Sequence, residues 1–191
     1  MASSVNLTKE DVVVKAKGIV ASTGWESLNA RGLAKELGMS TKPLYRMFEG
    51  MEEVKKLVYD SIYKFYDEFV TSRIDKDKAL ITLCVAYIEF AQEHRNLFKT
   101  LFLSNNLSWK SIDSVLDEKW NQSAIINLVN KHGYSFENAK VLFMHIWLYS
   151  NGLATLLATN DMKLDSNDIV KRIVTVYKDL VKWKMKEWSL N

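Results

Sequence analysis

The chain is expected to be all-α. Its 191 residues include one proline and seven glycines, so few positions interrupt a helix. Apolar residues recur three and four positions apart through most of its length. Good capping residues stand at the starts of several of these periodic stretches. No convincing strand, internal repeat or low-complexity segment breaks the pattern, and nine helices are predicted.

The first helix begins at Thr8, where Thr8-Lys9-Glu10-Asp11 resembles a capping box with Asp in the closing position. Val12, Ala16, Ile19 and Val20 line one face, and Gly24 stops the helix. Asn29 caps the second helix, since its side-chain oxygen accepts the free amides of an opening turn. Leu33, Ala34 and Leu37 share one face, and Gly38 is the left-handed residue that ends the helix. Ser40 is a second N-cap, with Thr41, Lys42 and Pro43 as the first three positions of the third helix. Proline is tolerated there, because first-turn amides lack helical partners. Leu44 and Phe48 point inward, while Lys42, Tyr45 and Arg46 point outward.

Glu49-Gly50 makes a turn, and a long helix follows from about Met51 to Arg73. Glu52 and Glu53 sit at its positive end. Val54, Leu57, Val58, Ser61, Ile62, Phe65 and Phe69 form its stripe. Asp75-Lys76-Asp77 is a polar break before a helix from about Lys78 to Glu93. His94-Arg95-Asn96 separates it from a short helix carrying Leu97, Phe98, Leu101 and Phe102. After the loop at Ser104-Asn105-Asn106, a helix is expected from about Ser108 to Lys131, ended by His132-Gly133-Tyr134. Ser135 caps an unusually apolar helix reaching about Thr159. The last helix spans about Asp168 to Trp188, with Ile169, Ile173, Val176, Leu180 and Trp183 on one side. Val170, Val174, Tyr177 and Val181 widen that face.

Composition excludes several functions. At 48% hydrophobic and 26% charged the chain is ordinary globular material. Its net charge is only +3. Residues 1–50 hold seven Lys/Arg against five Asp/Glu and the remainder 19 against 18. The excess leans weakly toward the N-terminal part. Nucleic-acid binding would therefore need its positive groups focused on one face. The single cysteine, Cys84, lies among Leu83, Val85 and Ala86 and reads as a buried small residue. One cysteine allows no internal disulfide, which fits a reducing cytoplasm. The start MASSVNLTKEDVVV lacks a signal-peptide pattern, and no apolar run is read as long enough for a membrane span. Cytoplasmic location without a membrane partner is expected.

No two histidines stand four apart and no Cys/His cluster has metal spacing. Nucleophile-elbow and phosphate-loop motifs are absent, as are paired carboxylates with obvious partners. No catalytic residue, cofactor or metal is expected, and no enzyme. His94 and His132 stand at predicted helix ends, where a cation favours the dipole.

The stretch from Asn29 to Phe48 reads as two short helices joined by a glycine-containing turn. That is a helix-turn-helix, whose second helix lies in the DNA major groove. Lysine and arginine pair with phosphate or guanine, and a tyrosine hydroxyl bonds phosphate.

From about Lys15 to Val54 the chain resembles the DNA-binding domain of the TetR family of bacterial transcriptional regulators. The matching residues are Ala16 and Ile19, Gly24-Trp25, Arg31, Leu33-Ala34, Leu37-Gly38, Ser40, Leu44-Tyr45, Phe48 and Glu52-Glu53-Val54, in register without a gap. Asn29 stands where the family usually has threonine, Met47 where it often has histidine or tyrosine, and Met51 where it often has a phosphate-binding lysine. Lys55 or Lys56 is the available substitute for that lysine. Gly32 replaces a usual acidic or polar residue.

The resemblance implies a nine-helix TetR-like architecture. Residues 1–50 would be a three-helix DNA-binding domain and residues 51–191 a helical effector-binding and dimerisation domain. Double-stranded operator DNA would be met by Asn29, Arg31, Ser40, Thr41, Lys42, Pro43, Tyr45 and Arg46, with Thr41, Lys42 and Pro43 nearest the bases and Tyr45 at a phosphate. The last two helices would form a homodimer. Trp147-Leu-Tyr-Ser-Asn151-Gly152 is similar to a C-terminal motif of one branch of the family, with Asn151 in place of histidine. A small-molecule effector, unidentified, would enter the larger domain and release the protein, a repressor, from its operator. Phe98, Phe102, Trp109, Trp120, His145 and Trp147 are the candidate effector residues, on the argument that aromatics crowd one small bundle. The alternative is a helical small-molecule binding protein without operator-specific DNA binding.

Overall fold

The computed structural model describes residues 7–105 and 111–188, with side chains as far as residue 183. Among the described residues there are nine α-helices and no strand. They are α1 Lys9–Thr23, α2 Ala30–Glu36, α3 Leu44–Met47, α4 Met51–Thr71, α5 Ala79–Glu93, α6 Arg95–Phe102, α7 Lys119–His132, α8 Phe136–Thr159 and α9 Ser166–Trp188. Short 3-10 turns lie at Trp25–Ser27, Lys76–Lys78 and Ile112–Asp117. The all-α architecture is consistent with the TetR-like fold expected from the sequence.

Local chemistry sets most boundaries. Thr8 Oγ1 accepts from the Asp11 amide at 3.1 Å, and the Asp11 carboxylate accepts from the Thr8 amide at 3.0 Å. This is the reciprocal capping box. Ser135 Oγ accepts from the Asn138 amide at 3.2 Å and opens α8. Gly133, at φ 68°, ends α7 in the left-handed region.

Two boundaries depart from expectation. The helix foreseen from Ser108 begins, in the described residues, as the 3-10 turn Ile112–Asp117, and α7 starts only at Lys119. Glu118 is extended there (φ −65°, ψ 136°), and Asn121 Nδ2 donates to the Val115 carbonyl at 2.8 Å, satisfying an acceptor that a continuous helix would have used. The regular part of α3 likewise begins at Leu44, with Pro43 in the cap position and no side-chain cap bond. Ser40 therefore does not immediately precede the regular helix. The Tyr45 amide still reaches the Thr41 carbonyl at 3.3 Å, but the Arg46 amide bonds Pro43, three residues back. The first turn is tightened toward 3-10 geometry.

The chain forms two compact units. The first comprises Met1–Asp67 with His94–Leu107, the second Glu68–Glu93 with Ser108–Asn191. In the first unit α1 packs on α2 and α6. Ala16 and Val20 of α1, Leu33 of α2, Leu44 of α3, Val58 of α4 and Phe98 of α6 are all buried. Asn96 Nδ2 fixes α6 to α1 by donating to the Ala21 carbonyl at 3.0 Å.

In the second unit α5 is apolar nearly all round, as a central helix must be, and packs on α7, α8 and α9. Tyr87 donates its hydroxyl hydrogen to Asn151 Oδ1 at 2.9 Å, joining α5 to α8. Gln92 holds Leu164 by both backbone groups, accepting from its amide at 2.8 Å and donating to its carbonyl at 2.9 Å. Cys84 is fully buried, and burial pushes its thiol up to about 12.

The expectation that no apolar run reaches membrane length needs correction. α8 has 24 residues and a mean hydropathy of 1.4 over its most apolar window, long and apolar enough to cross a bilayer. A core helix has the same composition. Leu142, Phe143, Ile146, Ala154 and Leu157 of α8 are buried, and the helix packs on α5, α7 and α9.

Candidate nucleic-acid interface

The helix-turn-helix is built by capping at both ends of α2. Asn29 Oδ1 accepts from the Gly32 amide at 2.9 Å, and Asn29 Nδ2 donates to the Ser27 carbonyl at 3.0 Å. At the other end the Met39 amide reaches the Ala34 carbonyl at 2.9 Å and the Gly38 amide reaches Lys35 at 3.1 Å. Gly38 has φ +66°. This pair of bonds around a left-handed glycine is the Schellman arrangement, and it turns the chain sharply toward α3. Leu33, Ala34, Leu44 and Phe48 are buried beneath.

What remains outside is the face expected to meet DNA. Arg31, Ser40, Lys42, Tyr45 and Arg46 are exposed, Tyr45 by 58%. Thr41 and Pro43 are half-buried in the turn. Asn29 is exposed, but its amide is engaged in capping. Arg31, Lys42 and Arg46 form no ion pair among the described residues. Three exposed cations without ion pairs and an exposed tyrosine hydroxyl on these two helices and their turn suit phosphate and base edges.

Two features were not anticipated. The first is a clasp. Lys9 Nζ pairs with Glu53 Oε1 at 2.5 Å and lies over the Phe48 ring, 4.8 Å from its centroid. Glu53 Oε2 accepts from the Glu49 amide at 2.7 Å. The Lys9 hydrogen bond, then the Glu49 amide, holds the Glu53 carboxyl below its usual range. The clasp joins the start of α1 to the turn that follows α3. The second is a small cleft formed by Trp25, Tyr59, Glu52, Lys55 and Lys56. Trp25 and Tyr59 meet edge to face, with centroids 6.4 Å apart. Lys55 pairs with Glu52 at 3.2 Å, whereas Lys56 is exposed and makes no ion pair among the described residues. Lys56 is therefore the freer substitute for the lysine that Met51 replaces.

The candidate effector residues are dispersed. Phe98 and Phe102 belong to the first unit, with ring centroids 5.1 Å apart, and Phe102 also meets Tyr66 at 5.0 Å. Trp120, His145 and Trp147 belong to the second unit. Trp120 stands under Lys119 Nζ, 4.7 Å from its ring centroid. His145 is exposed on α8, its Nδ1 2.7 Å from the Val141 carbonyl and its ring against Trp183. Trp109 lies outside the described residues. Elsewhere in the second unit a cavity of about 600 Å³ opens among α5, α7 and α9. None of the five described candidates lines it.

Among the described residues no group of three or more His, Cys, Asp or Glu side chains is placed to hold a metal ion. No protein-family model matches the chain. Two curated relatives do. One is an uncharacterized HTH-type transcriptional regulator of Mycobacterium tuberculosis, 22% identical over 89% of this chain and 79% of its own length. The other is an uncharacterized HTH-type transcriptional regulator of Bacillus subtilis, 24% identical over 74% of this chain and 73% of its own.

Proposed function

We propose that this chain is a DNA-binding transcriptional regulator of TetR type, acting in the cytoplasm as a homodimeric repressor that a small molecule releases from its operator. The observation carrying the reading is the capped helix-turn-helix with Lys42, Tyr45 and Arg46 exposed on its outer face. The two relatives named HTH-type regulators support it, and their matches cover most of both chains. The reading elements lie within residues 1–50; effector binding and dimerisation fall to residues 51–191.

Dimerisation is supported by α8. Val141, His145, Leu148, Tyr149, Gly152 and Leu156 are exposed along one face of it, and Leu148 and Leu156 are 45% and 50% accessible. Symmetry would set two copies of α3 for half-sites about 34–36 Å apart. The cavity among α5, α7 and α9 favours a second reading, a helical small-molecule binding protein without operator specificity.

Salt dependence separates the two. DNA flanking the gene is titrated by fluorescence anisotropy at several salt concentrations. Specific binding that weakens steeply with salt is expected, because phosphate contacts release counterions. Lys42→Ala should lower the logarithmic salt slope by up to about 2, one cation being lost from each copy of the dimer, and Lys42→Ala with Tyr45→Ala should abolish preference over random DNA. No preference in the parent protein, with retained small-molecule binding, would promote the second reading.

A further inference from the structure

We propose that the cavity among α5, α7 and α9 binds an anionic amphiphile, a molecule with an apolar body and a single acidic head. The volume, about 600 Å³, is that of a small-molecule site. Its floor is aliphatic. Leu80, Val85 and Ala86 of α5 and Leu128 of α7 are buried there, and Val170 and Val174 of α9 complete the wall. The floor offers an apolar body an aliphatic surface.

The mouth carries the polarity. Lys78, Lys178 and His132 line it and are exposed. The acidic neighbours are mostly engaged. Glu89 faces Arg73, with 3.5 Å between Oε2 and Nε, and Asp77 pairs with Lys131 at 2.8 Å. Asp75 spends an oxygen on the Asp77 amide at 2.8 Å. Lys78 and Lys178 have no ion-pair partner among the described residues. Burial pushes the ionisation of Tyr177 up, so it stands in the wall as a neutral hydroxyl. With Glu89 and Asp77 in salt bridges, two lysines face one partly satisfied carboxylate, Asp75, and Lys78 also lies in the field of Asp77, whose carboxyl it helps to hold below the usual range.

The segment bearing Lys78 is also fixed in place. Asn127 Nδ2 donates to the Lys76 carbonyl and Lys131 Nζ to the Asp77 carbonyl, both at 2.8 Å. The backbone that carries Lys78 therefore needs little reordering when a ligand binds. A cationic ligand would find its counter-charges already paired, and a neutral one would leave both lysines unused.

The proposal rests on the effector reading for its regulatory meaning, though binding is measurable without DNA. The full chain is titrated calorimetrically with decanoate, 2-naphthoate, decan-1-ol and decylammonium. One or both acids should bind at least about tenfold tighter than the alcohol, roughly the effect of one charge-assisted contact. The two acids between them report whether the body is alkyl or aromatic. Lys78→Glu with Lys178→Glu, both on exposed positions, should erase the preference and leave decan-1-ol binding intact. Val174→Trp should fill the cavity and abolish all binding. Val170→Trp, at a more exposed wall position, does the same service if the first variant loses its helical signal. Equal affinity for acid, alcohol and ammonium overturns the proposal, as does acid binding unchanged in the charge-reversed variant. So does the absence of binding heat at two well-separated temperatures, since apolar burial changes the heat capacity and cannot be silent at both. Acid binding that leaves operator affinity untouched upholds the site and removes the effector reading. Operator release by some other ligand, without acid binding, does the reverse.

Discussion

Gly32 and Gly38 stand at opposite ends of α2 and do different things. Gly38 needs its left-handed φ of +66°; an L side chain there is strained by about 1–2 kcal/mol. Gly32 lies inside the helix, and a Cβ added to it would meet Asn29 Oδ1 at 3.5 Å, an ordinary contact. Gly32→Ala should therefore stabilise the protein by about 0.5–1 kcal/mol, through helix propensity. Gly38→Ala should destabilise it by a similar or larger amount. Urea unfolding of both variants checks the pair, and a destabilised Gly32→Ala would mean that packing, rather than propensity, chose glycine there. Cys84 offers a second check. With its thiol raised to about 12 by burial, it should resist a disulfide reagent at about pH 8 until the chain unfolds. These features were legible in the sequence because they are local: a glycine after an apolar stretch, an asparagine before one, a cysteine among aliphatics.

Between elements, the clasp of Lys9 and Glu53 has a pH signature. Glu53 carries a depressed pKa in the folded chain, so unfolding takes up protons in acid. The contribution is complete above the ordinary glutamate value of 4.5, and it is lost as pH falls through the depressed folded value. Glu53→Gln should lower the urea midpoint near neutrality, and the gap from the parent should close as the pH falls below the ordinary glutamate range. A gap that stays constant would show the carboxylate charge to be irrelevant. No sequence pattern announces this clasp, whose partners are 44 residues apart. The late start of α7 escaped notice for a related reason. Periodicity continues through Leu116 and Trp120, and only the structure reveals the break, in the extended Glu118 and the bond from Asn121 to Val115.

At the scale of the whole molecule, helix order and class were readable because periodicity and capping repeat along the chain. Cavities are not readable that way. Reasoning from residue type pointed to aromatics, yet Phe98 is fully buried against its neighbours, while the large cavity has a floor of leucine, valine and alanine and none of the described candidate aromatics in its lining. Rings fill space efficiently; small aliphatics leave it. The proposed dimer face makes its own prediction. Leu148→Glu with Leu156→Glu should halve the mass measured by light scattering and weaken operator binding, because the surface the pair would spoil is already exposed in one copy. Gly152 sharpens this test. A Cβ there meets nothing in the single chain, so Gly152→Ala should stabilise a monomer by up to about 1 kcal/mol. A dimer with helices closely opposed at that point should be weakened instead.

The first unit is discontinuous along the chain, and this bears on its biosynthesis. α6, which packs on α1 and bonds Ala21 there, is translated only after α5. A ribosome that has released Asp67 has therefore not yet supplied everything the helix-turn-helix packs with. Some 26 further residues of the other unit, Glu68–Glu93, must emerge first. The nascent protein should stay protease-sensitive through that interval and gain protection only once α6 clears the exit tunnel. An arrested chain ending near residue 75 should be cleaved within α1, and one arrested far enough past Phe102 for α6 to have emerged should resist.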